Sequence, residues 1–263
     1  MEDHPRRVFL GIAPALVATA WCRGQPEVAA RVVGAAFPSH EPDVVREFVG
    51  VCHGKVERVR AMLGDVPQLA NAALDWGFGD WETALGAASH VGNREIATLL
   101  IERGARPDIF THAMMGHLAM VKGLVEAFPG IQRRHGPHGI TLLAHARSGG
   151  DAARGVVEYL AALGDADLRY ADEPLSEEER ARLCGEYAFG ASADERLSVF
   201  AREGGPLAVQ RPGGAPRNIF HQGSCVFIPA GGADARLTFR VESGRATELR
   251  VTSPATMCEA KRV

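Results

Sequence analysis

Thr83-Ala84-Leu85-Gly86-Ala87-Ala88-Ser89-His90-Val91-Gly92-Asn93-Arg94-Glu95-Ile96-Ala97-Thr98-Leu99-Leu100-Ile101-Glu102-Arg103-Gly104-Ala105 decides how this chain is read. A short small-residue segment runs to a glycine. A second segment then carries Ile96, Leu99 and Leu100 at helical spacing and stops at Gly104-Ala105. That is a helix, a tight turn and a second helix. Gly54, Gly116 and Gly150 hold comparable places, and the four glycines lie 38, 24 and 34 residues apart. Apolar residues at helical spacing follow the others too: Val56, Val59, Met62 and Leu63; Leu118, Met120, Val121, Leu124 and Val125; Val156, Val157, Tyr159 and Leu160.

Thr83, Leu85, Ala88 and Gly92 fall on the T-P-L-H-x-A offsets of the ankyrin repeat, with Ala84 for the usual Pro and Gly86 for the usual His. Thr141, Leu143, Ala146 and Gly150 repeat those offsets. Residues 43–167 therefore resemble a bacterial ankyrin-repeat protein, whose period is about 33 residues. The resemblance implies an α-solenoid of about four degenerate repeats, each completing its neighbour's core, and a binding scaffold with no ligand specified.

The chain has 263 residues, 46% hydrophobic, and a net charge of −3. That is enough for one large or two modest domains, without the clustered basic face a nucleic-acid partner would require. No run reaches the roughly 18 apolar residues of a membrane span. Arg6-Arg7-Val8-Phe9-Leu10 resembles the twin-arginine export motif. Gly11–Ala20 follows as a mildly apolar run, with Ala18-Thr19-Ala20 as a small-residue cleavage site. This predicts a signal peptide over 1–20, a linker over 21–42 and a periplasmic or secreted mature chain. A cytosolic N-terminal helix is the alternative. The five cysteines show no zinc spacing. Cys184 and Cys225 are either free thiols or, after export, a pair.

The 38-residue gap holds an insertion, Leu74-Asp75-Trp76-Gly77-Phe78-Gly79-Asp80-Trp81. Trp76, Phe78, Asp80 and Trp81 are candidate binding residues on a lip, since aromatic anchors dominate binding energy at recognition surfaces. Equally, Trp76 and Phe78 fold back and plug the groove. The segment Gln132–Gly139 places Arg134, His135 and His138 at the tip of a finger, suited to an acidic partner or an anion, or else simply a solvated turn.

There is no H-E-x-x-H, G-x-S-x-G, Walker or dinucleotide motif. Most of the ten histidines, His53 among them, read as turn residues bonding neighbouring backbone. The enzyme alternative places a His/Asp acid-base site in the groove, from His90, His112 or His145 with Asp80 or Asp75. No metal and no cofactor are expected, and the partner is expected to be a protein or peptide.

Beyond Arg169 the period changes to two. Residues 169–182 read as a polar linker entering a short helix. Leu197–Phe200, Leu207–Arg211, Ser224–Ile228, Leu237–Val241 and Glu248–Val251 read as strands. Leu183-x-Gly185-x-Tyr187, Cys225-Val226-Phe227 and Leu237-x-Phe239 resemble the small β-domain appended to penicillin-binding-protein-like serine hydrolases, whose S-x-x-K motif is absent here. The expected fold is an α+β multidomain chain. An ankyrin-repeat domain over 43–168 precedes a small antiparallel β-meander or half-barrel over 183–256, with a tail at 257–263.

Overall fold

The computed structural model describes residues 35–254 and 256–263. The expected signal peptide at 1–20, and most of the 21–42 linker, lie outside the described residues. The chain divides into two units, 1–41 and 42–263. In the first, residues 35–38 form a turn, and the Ala36 N–H donates to the Glu41 carboxylate. Everything below concerns the second.

Its first half is built from helix pairs: α1 (Pro42–Val51) with α2 (Val56–Asp65), α3 (Ala84–His90) with α4 (Arg94–Glu102), α5 (Ile109–Met115) with α6 (Leu118–Ala127), and α7 (Leu142–Ser148) with α8 (Arg154–Leu163). Helices α1, α3, α5 and α7 contact one another in succession, while α2 meets α4 and α6 meets α8. Local chemistry sets the starts. The side chains of Thr83, Asn93, Asp108 and Thr141 each accept a hydrogen bond from an N–H in the first turn of α3, α4, α5 and α7 respectively. The helices bury Phe48, Leu63, Leu85, Ile96 and Leu100 in one cluster and Leu142, Val156 and Leu160 in another. Gly92 closes the α3–α4 turn at φ +75°, where a Cβ would lie 2.1 Å from the Ser148 carbonyl oxygen, so only glycine fits.

Between α2 and α3 the chain makes a two-stranded ribbon, β1 (Ala73–Asp75) against β2 (Trp81–Thr83), in the register Asp75 opposite Trp81. Gly77, Phe78 and Gly79 all have positive φ and let the connection turn back on itself.

After α9 (Glu177–Leu183), opened by a reciprocal Ser176–Glu179 capping box, come eight strands: β3 (Gly185–Ala188), β4 (Arg196–Ala201), β5 (Leu207–Gln210), β6 (Arg217–His221), β7 (Val226–Pro229), β8 (Arg236–Glu242), β9 (Arg245–Ser253) and β10 (Thr256–Arg262). All neighbours are antiparallel, and β10 pairs with β3, so the sheet closes into a barrel. Tyr187, Phe227, Leu237, Phe239 and Leu249 fill it.

The closed eight-stranded barrel overturns the expected fold class of a four-repeat solenoid followed by a small half-barrel meander. Three strands, β3, β6 and β10, lie outside the five read from period two. In β6 the positions facing inward include Arg217 and His221, buried polar residues that break the apolar alternation. The residues expected as a tail, with Glu259, Lys261 and Arg262, lie in β10. Its pairings Lys261 with Ala188 and Arg262 with Tyr187 remove the sheet's open edge. No helix among the described residues is long and apolar enough to cross a membrane.

Candidate metal centre

Four side chains from distant parts of the sequence meet beside the ribbon: His53 from the turn after α1, Glu82 from β2, His90 from the last turn of α3, and His138 from a short turn at 137–139. One ligand atom from each lies within 4.8 Å of all the others. Glu82 Oε1 is 3.0 Å from His90 Nε2, 3.3 Å from His138 Nε2 and 3.6 Å from His53 Nε2. Ligands about 2.0–2.1 Å from a tetrahedral zinc ion stand roughly 3.3 Å apart, the spacing these contacts bracket.

Three of the four donors are aimed by a partner on the far side. His53 Nδ1 is 3.0 Å from the Gly50 carbonyl, an acceptor only, so that nitrogen carries the proton and Nε2 presents a lone pair. His138 Nδ1 is 2.8 Å from Asp80 Oδ2, giving the carboxylate–histidine arrangement that orients imidazoles at metal sites. The Trp76 indole Nε1 donates to Glu82 Oε2 at 2.7 Å, leaving Oε1 for the centre. Period-two geometry explains the acids: Asp80 and Glu82, two residues apart, both reach the His138 ring.

Glu82 is fully buried, yet its Oε1 makes no hydrogen bond, nor does His90 Nε2 3.0 Å away. Orphaned buried polar atoms are costly, and a cation between them would satisfy both. Burial raises the Glu82 pKa, but the His138 and His90 imidazoles close to Oε1 outweigh it and hold the carboxyl at about 2. Burial likewise works against the His138 imidazolium. The two carboxylates prevail, and the ring is held up at about 9. Cys52 is adjacent in sequence but lies outside the converging group, and burial first, then the Glu82 charge, push its thiol up to about 12.

The other residues singled out from sequence lie as follows. Trp76 holds Glu82, and Phe78 packs against the barrel core beside Gly232, so both fold back. Trp81 alone of the aromatic trio is exposed, at 64%. Asp80 is buried, bonded to His138 and to Arg217 of β6. His112 Nδ1 is 3.1 Å from His117 Nδ1 on the α5–α6 turn. His145 is buried with Nδ1 on the Thr141 carbonyl, and its ring centroid lies 6.5 Å from that of His90. His135 Nε2 meets the Leu168 carbonyl at 2.5 Å, and Arg134 is exposed. Cys184 and Cys225 are free thiols. The site thus takes His90, Asp80, His138 and Trp76 from the expected set and adds His53, Glu82 and Arg217. Reading the histidines as turn residues, with no metal expected, passes over the convergence. One signal pointed to it: His53 and His90 precede equivalent turn glycines of successive helix pairs, and such positions stack in space.

The chain matches no protein-family model and no curated protein. Its likeness to ankyrin repeats rests on the residues quoted above.

Proposed function

We propose that this chain is a transition-metal-binding protein, with one divalent ion of the zinc class held by His53, Glu82, His90 and His138. The convergence of three imidazole Nε2 atoms and one buried carboxylate oxygen carries the proposal. Three nitrogens and one oxygen suit zinc, and suit calcium or magnesium poorly. Four protein donors fill a tetrahedron, the pattern of a structural ion, so the metal's work here is to pin the β1–β2 ribbon to α1, α3 and the 137–139 turn. The test is zinc titration of the chelator-stripped protein against a chromophoric competitor. One equivalent bound, and lost in Glu82→Gln and His90→Ala, supports the centre. No stoichiometric zinc at micromolar concentration sinks it.

A binding role at the ribbon's other face is the second reading, supported by exposed Trp81 at a cavity of about 250 Å³ that Phe110, Asp108 and His135 also line. In it, the ion stiffens the ribbon that presents Trp81 to a protein or peptide. Its test is affinity capture with the metal-loaded chain and a Trp81→Ala control. Equal capture by both would remove Trp81 from that role.

A further inference from the structure

The helical half supplies all four ligands, but the residue that organises them comes from the barrel. Arg217 lies on β6, is 8% exposed, and touches none of the ligand atoms. Its guanidinium makes three contacts. Nη1 donates to Asp80 Oδ2 and to the Ala230 carbonyl, the latter at 2.7 Å, and Nη2 donates to the Trp76 carbonyl at 3.0 Å. Asp80 holds the His138 ring, and Trp76 holds Glu82. One barrel side chain therefore fixes the partners of two of the four ligands. The approach is close: Gly231, on the loop after β7, lies so near that a Cβ there would sit 2.2 Å from Asp80 Cγ.

We infer that Arg217 is a positioning residue of the metal centre, and that docking of the barrel on the ribbon and zinc binding favour one another. This rests on the proposed metal-binding reading. Two routes lead from Arg217 to the ligands, through the Asp80 carboxylate to His138 and through the Trp76 backbone to Glu82. Without the guanidinium, Asp80 is a buried acid freed to turn away from His138, and the ribbon loses its anchor to the rim. Linkage makes the effect reciprocal: if the docked barrel tightens zinc binding, zinc tightens docking by the same factor.

The test uses the full chain, with zinc alone as the probe. Affinity is measured by chelator competition for the parent, Arg217→Met and Leu249→Ala, at a temperature where circular dichroism shows each folded. Leu249 is buried in the barrel core, away from the relay, and controls for lost stability. Docking is read separately, as trypsin cleavage after exposed Arg169 in the segment joining the halves. The expected result is zinc binding about 10–100-fold weaker in Arg217→Met, the usual size of an outer-shell loss, with one equivalent still bound and Leu249→Ala unchanged. Zinc should also slow cleavage of the parent and not of Arg217→Met. Parent-like affinity in folded Arg217→Met, or an equal loss in Leu249→Ala, overturns the relay and leaves the centre standing. A parent chain that binds no zinc overturns both. If Arg217→Met does not fold, Arg217→Lys, which keeps the buried charge and loses the forked contact to both Asp80 and the Trp76 carbonyl, is judged by the same outcomes.

Discussion

Asp80 grips His138 at two points: Oδ1 accepts the His138 backbone N–H at 2.8 Å, and Oδ2 faces the ring Nδ1 at 2.8 Å. A carboxylate bonded to both the main chain and the ring of one residue leaves that ring a single orientation, with Nε2 toward Glu82. Asp80→Asn keeps the shape and loses the charge. Zinc affinity should fall about 10–100-fold, measured by chelator competition. Arg217, left buried without its counter-charge, should lower unfolding stability by about 3–5 kcal/mol, measured by urea denaturation.

Trp76→Phe retains the ring and removes the N–H donated to Glu82 Oε2. One neutral-to-charged hydrogen bond is worth about 1.5–3 kcal/mol. Zinc binding should weaken roughly tenfold or more while circular dichroism stays unchanged. Unaltered affinity would show that Glu82 needs no aiming.

Zinc should stabilise the fold by mass action. At a free concentration 100 times the dissociation constant the gain is about 2.7 kcal/mol, read as a rise in Tm that chelator reverses. His90→Ala should abolish the rise.

His145 sets an acid limit. Burial, the largest influence, holds its pKa down at about 4, against an ordinary 6.5. The unfolded chain then binds a proton that the folded chain refuses between those values. The stabilising effect is complete above about pH 6.5 and disappears as pH falls toward 4, a total of about 3 kcal/mol. Urea denaturation of the chelator-treated protein across that range should show the decline, and His145→Gln should flatten it.

Gly231→Ala should be among the costliest single changes in the barrel. The residue has φ +76°, and the added carbon would overlap Asp80. A loss of about 2 kcal/mol or more is expected in thermal unfolding, larger than for Gly244→Ala, where φ is +80° but nothing lies within 4 Å.

The helices were legible because their signals are local. Thr83, Asn93 and Thr141 cap helices whose apolar residues recur at helical spacing, and no distant contact is needed to see it. The barrel was legible only in part. Arg217 and His221 point inward on β6, so that strand lacks the apolar alternation that marks β5 and β8. Charged β10 is held by partners on β3 and β9 rather than by its own pattern. The centre was least legible. His53, Glu82, His90 and His138 form no spacing motif, and Glu82 stands out only once the ribbon places it on the same side as Asp80. Their meeting is a property of stacked turns, which a linear reading sees one at a time.

The closing contact between β10 and β3 also has a meaning in time. A ribosome delivers His53, Glu82, His90 and His138 before any residue of the barrel, and the strand that seals the barrel comes after all the rest of it. Long-range strand closure is slow compared with formation of local helix pairs. On the proposed metal reading, all four ligands are therefore in place along the chain before Arg217 and the sealing strand are made. Capture of the ion and its tightening by the barrel would then be two events of biosynthesis, separated by the time taken to translate and close the barrel.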